Sequence, residues 1–241
     1  MTLHSLVKKN FLRIKFYLAW HLFFPIFNRK VQLAFKGKSV AVVGGAPSMA
    51  TKNTGTMIDD HDVVVRINMP RNHDKDVFGC KTDYCFLGAN VKSVNDERYL
   101  DEFLSSLEPD TKLLSTDKNL GHLSNVERFH SVHYYPAILP IKMVDILSSN
   151  FNCGSIKKMG GVPRSGLVCL ALIYFFGCAK KITVFAMSDD PLSARQTIGK
   201  NGALIQYDEA KLLECHCSPE NEIELMKCLI NAASGKIQWV R

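Results

Sequence analysis

Three places in this chain gather residues able to hold a ligand or move a proton. The first is Gly44-Gly45-Ala46-Pro47-Ser48. Small residues let a ligand approach the main chain, and the N–H groups of such a turn can hold an anion. Arg66 and Asn68, one cation and one amide, follow where a second apolar run ends. The second place is Pro163-Arg164-Ser165-Gly166-Leu167, at the head of a long apolar stretch. A Ser-Gly turn that opens a helix offers N–H groups and the positive end of the macrodipole to a carboxylate or phosphate. Ordinary helix capping is the alternative there. The third is Cys215-His216-Cys217-Ser218-Pro219-Glu220-Asn221-Glu222. A neutral imidazole is the natural base near pH 7. Glu220 and Glu222 also have a structural use, because acids suit the positive end of a helix.

These groups need elements to carry them. Ser39 to Val43 and Val63 to Val65 are short β-branched apolar runs, the pattern of buried strands. Lys112 to Ser115 is a further strand candidate. Val168 to Phe176 reads as a buried helix, closed by Gly177-Cys178-Ala179 and followed by a strand over Lys181 to Phe185. Ser218 suits an N-cap and Pro219 a first helical turn, so a helix is expected over Ile223 to Ala232. Asn95 to Leu107 has an amphipathic period, and Met143 to Ser149 reads as a short helix. Strands alternating with helices call for a mainly parallel sheet covered on both faces. Ligands of such sheets bind outside the strand carboxyl ends.

At 241 residues and 46% apolar composition the chain can bury one sizeable core. Its formal charge of +7 is unevenly spread. Nine of the 30 Lys and Arg lie in residues 1–58, where there is no Asp or Glu. The other 21 are balanced by 23 acids. Eight cysteines include no C-x-x-C pair, which argues against a zinc ribbon and leaves reduced, partly buried thiols as the expectation. His122, His130 and His133 lack metal-ligand spacing, and Asp189-Asp190 reads as a solvated turn before Pro191. No metal site and no cofactor are expected.

Residues 1–36 form a basic, aromatic arm, and residues 37–241 the remaining domain. The apolar run Phe16 to Phe27 is twelve residues long and broken by His21 and Pro25. A transmembrane helix needs about twenty residues. Aromatics flanked by cations suit a helix lying in the interface of an anionic membrane. The plain alternative is a helix packed on the domain. Nucleic-acid binding, the usual rival for a basic arm, fits poorly with this aromatic density.

The segment from Lys38 to Gly88 resembles the large sialyl motif of the eukaryotic-type sialyltransferases, glycosyltransferase family 29. The matching residues are Val42-Val43-Gly44-Gly45, then Ile58-Asp59-Asp60-His61-Asp62 with Arg66 and Asn68, then Asp76, Gly79, Lys81 and Thr82. Pro163, Ser165-Gly166-Leu167, the apolar helix, Cys178 and the strand ending in Val184-Phe185 resemble the small sialyl motif. The resemblance implies a single Rossmann-like α/β domain of the GT-A-like sialyltransferase variety. It implies a metal-independent, inverting transfer of sialic acid, or of a related keto-acid sugar such as Kdo, from a CMP-sugar to a hydroxyl of a glycan or glycolipid. Gly44, Gly45, Ala46, Asn68, Ser165, Gly166, Leu167 and Tyr207 would hold the donor, and His216 would be the general base.

The chain departs from the family pattern in four places. Gly45 stands where the family has Asn in the first turn, and no His precedes Tyr207. Asn221 takes the Glu place after His216, with acids one residue to either side. Cys178 lacks the family's partner cysteine, because Ser39 or Val40 occupies that position. The missing disulfide suits the cytoplasmic face of a membrane. Two other readings stay open: a catalytically inactive nucleotide- or glycan-binding subunit, and another Rossmann-like nucleotide-binding enzyme. The second lacks G-x-G-x-x-G.

Overall fold

The structure, a computed structural model, describes residues 24–47, 52–68, 74–87, 107–108, 110–115, 132–134, 163–191, 196–198, 204–206 and 217–240. Among the described residues, seven strands form one sheet in the order β5-β4-β3-β2-β1-β6-β9. They are β1 (Ser39–Val43), β2 (Val63–Ile67), β3 (Tyr84–Leu87), β4 (Lys112–Ser115), β5 (Val132–Tyr134), β6 (Lys181–Phe185) and β9 (Ile237–Trp239). Every pairing in the sheet is parallel. Two further strands, β7 (Gln196–Ile198) and β8 (Leu204–Gln206), form a separate antiparallel pair.

Parallel strands are buried on both faces, so their sequences lose polar alternation. β1 and β2 show this, for all but their end residues are buried. One face of the sheet carries Val40, Val42, Val63, Val65, Tyr84, Phe86, Ile182 and Val184. Helices α1 (Phe24–Phe35), α4 (Ser165–Phe176) and α5 (Pro219–Ala232) contribute to the same core. Helix α4 is apolar on all sides, and Leu167 to Ile173 are all buried. The opposite face carries Ala41, Val43, Val64 and Phe185. It is covered by Ile58 of α2 (Gly55–Asp59) and by Val77 and Phe78 of α3 (Lys75–Phe78). The single α/β layer structure expected from the sequence is therefore present, with helices on both faces.

Helix α5 starts as its sequence demands. Ser218 is the N-cap, its hydroxyl accepts the N–H of Asn221, and Pro219 occupies the first turn. The candidate helices over Asn95 to Leu107 and Met143 to Ser149 lie outside the described residues, apart from Leu107.

The end of the arm packs as a helix on the domain, the plain alternative for this segment. Val31, Ala34 and Phe35 of α1 are buried in the main core, and the Phe35 ring lies 5.3 Å from that of Tyr84. These positions recur at helical spacing, so they form one apolar stripe. The last third of the supposed arm is thus a layer of the domain. Its outward face shows Arg29, Lys30, Leu33 and Lys36 to solvent, with Leu33 73% exposed. Among the described residues no helix is long and apolar enough to cross a membrane.

Candidate active site

Strand order places the site. The chain leaves β1 for β2 on one side, while β6 lies against β1 on the other. Loops leaving such neighbours diverge and open a crevice at their carboxyl ends. Val43 is in register with Phe185, so the turn after β1 meets the residues that follow β6.

That meeting is close. A Cβ on Gly44 would stand 2.3 Å from the carbonyl oxygen of Ala186 and 2.9 Å from Cγ of Met187. Gly44 donates its N–H to the Phe185 carbonyl at 2.9 Å, and Ala46 donates to the Ala186 carbonyl at 2.8 Å. Two of the turn's N–H groups are therefore spent on joining β1 to β6. The expectation that this turn holds an anion is corrected for Gly44 and Ala46, because their hydrogens are already paired with backbone carbonyls. What the small residues provide is close passage of two strand ends. Ala186 accepts a left-handed φ of 50° there although it is buried. A Cβ in that region costs on the order of 1 kcal/mol, so surrounding contacts hold the bend in place.

Helix α4 points its N-terminus at the same crevice. A Cβ on Gly166 would stand 2.7 Å from Cε and 3.4 Å from Sδ of Met187. Arg164 is the N-cap residue, and its side chain makes no cap hydrogen bond. The capping explanation for the Ser-Gly turn therefore does not hold, and the anion-binding one keeps its basis. Ser165 and Gly166 are partly exposed, whereas the side chain of Leu167 belongs to the core. Asn68 follows β2 on the same edge of the sheet, at a left-handed φ of 62° that Asn tolerates better than most residues. Its N–H donates to the Phe86 carbonyl, and its own carbonyl accepts the Cys85 thiol. Tyr207 and His216 lie outside the described residues.

The N-termini of α4 and α5 are tied together. Arg164 Nε donates to the carboxylate of Glu222, and Glu222 is 5% exposed. Cys217, the residue after His216, is buried beside this pair. Its thiol is pushed up to about 12 by burial first and by the Glu222 charge second. The link had no signal in local sequence, because the two residues are 58 positions apart.

Much of the large motif builds the scaffold. The Asp59 carboxylate accepts the N–H groups of Cys80 and Lys81. Gly79 passes so close that a Cβ would stand 2.3 Å from Asp59 Oδ1. Asp62 accepts both the N–H and the hydroxyl of Ser39, and these bonds hold its carboxyl below its usual pKa. Lys81 Nζ donates to the carbonyls of His61 and Asp62. His61 Nδ1 donates to the Met57 carbonyl, and its Nε2 lies 2.9 Å from the Thr183 hydroxyl.

Arg66 also differs from its expected place. It is 8% exposed, and its guanidinium donates to the carbonyls of Phe78 and Lys81 and to the Thr82 hydroxyl. Side chains alternate along a strand. Arg66 accordingly shares a face with Val64 and is turned under the loop before β3, away from the strand ends. Burial lowers its pKa, partly offset by the Asp59 charge.

A recess of about 420 Å³ opens at the other, amino-terminal edge of the sheet, with Lys38, Asp62, Asp83 and Lys112 in its wall. Its groups are engaged in structure: Asp62 with Ser39, Asp83 with the Val64 N–H, and Lys38 with the Ala34 carbonyl. The crevice at the carboxyl ends, where both glycine turns converge, is the candidate site.

Residues 23–136 match the family model of glycosyltransferase family 29 (sialyltransferase). The chain is sialyltransferase-like. The matched span takes in the large motif and ends before the small one. The fold agrees over a longer stretch. A crystal structure of a mammalian sialyltransferase, in complex with Gal-beta-1-3GalNAc-ortho-nitrophenol, aligns over 85% of this chain and 69% of its own, at TM-score 0.51 and 15% identity. The sialyltransferase CstII from Campylobacter jejuni, in complex with cytidine-5'-monophosphate, aligns over 85% and 80%, at TM-score 0.50 and 18% identity. No curated protein sequence matches the chain. The family match carries the reading of this sialyltransferase-like chain as a glycosyltransferase. The structural likeness supports its Rossmann-like fold.

Proposed function

We propose that this chain is an inverting glycosyltransferase that moves sialic acid, or a related keto-acid sugar such as Kdo, from a CMP-sugar to a glycan hydroxyl. The observation that carries this reading is the convergence of the two motifs. Gly44 of the large motif and Gly166 of the small one both abut the side chain of Met187. A donor bound outside β1 and β6 has the turn after β1 on one side and the helix terminus of α4 on the other. The helix terminus favours the donor's carboxylate or phosphate electrostatically. Asn68 adds an amide on the same edge. CMP leaves as the stable monophosphate, and no metal is required for that step in this reading.

His216 takes the proton of the attacking hydroxyl. Its chain neighbour Cys217 is buried beside the Arg164–Glu222 pair. General base catalysis contributes about 10²–10⁴-fold. His216→Asn is therefore expected to lower kcat by at least about a hundredfold and leave CMP affinity within about twofold. Calorimetry with CMP, with and without magnesium, and a donor-turnover assay read the two quantities. Wild-type CMP binding with no turnover of either CMP-sugar in the presence of glycan acceptors would favour the binding-subunit reading instead.

The same reading places the chain at the cytoplasmic face of a membrane, acting on a membrane-borne acceptor. Exposed Leu33 among Arg29, Lys30 and Lys36 supports it, as does the acid-free composition of residues 1–58. Apolar contact and attraction to anionic lipid add in such a surface. Leu33→Glu with Lys30→Glu is expected to reduce flotation with phosphatidylserine vesicles at least fivefold, without a change in melting temperature. Equal flotation of the variant and the parent chain would refute the contact.

A further inference from the structure

We infer that Met187 is the specificity-determining side chain of this crevice, setting the width available to the sugar of the donor; the inference rests on the CMP-sugar reading above. Met187 is the residue that both motif glycines face. Its Cγ lies against Gly44, while its Sδ and Cε lie against Gly166. The thioether therefore spans the crevice from the turn after β1 to the head of α4. Among the described residues outside its own helix backbone and chain neighbours, only Met187 comes within 4 Å of the place a Cβ on Gly166 would take. The absence of a side chain at Gly166 thus makes room for Met187.

The main chain of Met187 is held, and its partly buried side chain packs against the core. The Met187 carbonyl accepts the indole N–H of Trp239 at 2.9 Å. Ala186, one residue before, is buried, left-handed and bonded through its carbonyl to Ala46. Methionine has three rotatable bonds and no branch, so it can fit its end to what is bound without moving the backbone. The nucleotide side of the crevice lies at the β1 turn and the anion side at α4. A side chain that bridges the two lies under the junction between them, where the keto-acid ring of a CMP-sugar attaches. Sialic acid and Kdo carry the same anomeric carboxylate and differ in ring substituents and chain length. A wall residue at that junction reads such a difference by shape, and one apolar group in a pocket discriminates by about 10–200-fold.

The test measures binding of CMP, CMP-sialic acid and freshly prepared CMP-Kdo to the full chain and to Met187→Ala and Met187→Leu. No acceptor is needed. The expected result is a change of about tenfold or more in the affinity ratio of the two CMP-sugars in Met187→Ala, with Met187→Leu staying near the parent ratio. Thermal melts show that the variants are folded. If Met187→Ala is unfolded, Met187→Leu and Met187→Phe carry the comparison, and Phe must shift the ratio by a similar factor. CMP binding by the parent chain with an unchanged ratio in all variants would overturn this inference and leave the proposed function standing. No binding of CMP by the parent chain would overturn the proposed function and this inference with it.

Discussion

Arg164→Met is expected to lower stability by about 3 kcal/mol, a low value for breaking a buried ion pair. The two partners differ in what their loss leaves behind. Glu222 has a side chain 6% exposed, whereas that of Arg164 is 25% exposed. Removing Arg164 leaves a carboxylate that water can hardly reach. Removing Glu222 leaves a guanidinium that can turn to solvent, so Glu222→Gln is expected to cost only about 1–2 kcal/mol, close to the loss of one charged hydrogen bond. The position of Glu222 in the first turn of α5 returns some of the loss through the helix dipole, about 0.3–1 kcal/mol. A buried pair replaced as a whole by apolar side chains is often neutral. Arg164→Met with Glu222→Leu is therefore expected to recover most of the stability. Urea titration reads all three, as shifts in midpoint at constant slope. A single Arg164→Met variant as stable as the parent would show that the pair holds nothing together. The same substitutions reach the proposed base, because Cys217 packs beside the pair and His216 precedes it. The double variant should then be stable but turn over more slowly than the parent, since the charged tether between α4 and α5 is gone.

Gly44→Ala is expected to be strongly damaging for a change of one carbon. Its new methyl would meet a backbone oxygen at 2.3 Å, and that oxygen cannot move aside cheaply. The Ala186 carbonyl accepts from Ala46, and its residue sits in a buried left-handed bend. The ends of β1 and β6 must part, which endangers the bonds from Gly44 to Phe185 and from Ala46 to Ala186. Each buried backbone group left unpaired costs about 1–3 kcal/mol, so a loss of about 3–4 kcal/mol is expected, together with CMP binding. Gly166→Ala is the control. There, among the described residues, the methyl meets the flexible end of Met187, at 2.7 Å, and a rotamer change relieves it. Its stability cost is expected to stay below about 1 kcal/mol, within the range for off-rotamer adjustment. Melting and urea curves of the two variants, compared side by side, decide the matter: equal costs would contradict the asymmetry between backbone and side-chain neighbours.

Local sequence determined the elements that depend on local chemistry. Ser39–Val43 and Lys181–Phe185 form strands over the residues that their apolar runs mark, because a strand buried on both faces needs an unbroken apolar sequence. Ser218 and Pro219 start α5, because a hydroxyl and a residue without an N–H satisfy the first turn of any helix. Spaced motifs also marked the sialyltransferase resemblance, and the family match over residues 23–136 agrees with it. Three things were decided only by tertiary structure. The order of strands sets β6 beside β1, though Val43 and its register partner Phe185 are 142 positions apart. That placement gives Gly44 its neighbour and makes Met187 part of the site. The face of β2 on which Arg66 falls turns a cation from a candidate ligand contact into a tie for the Phe78–Thr82 loop. The stripe of Val31, Ala34 and Phe35 finds its apolar partner on the domain, so the last third of an apparent membrane arm packs as a helix on the core. The physical reason is common to all three. Propensity, capping and periodicity act within a few residues of chain, whereas a side chain's partner is chosen by packing between elements remote in sequence.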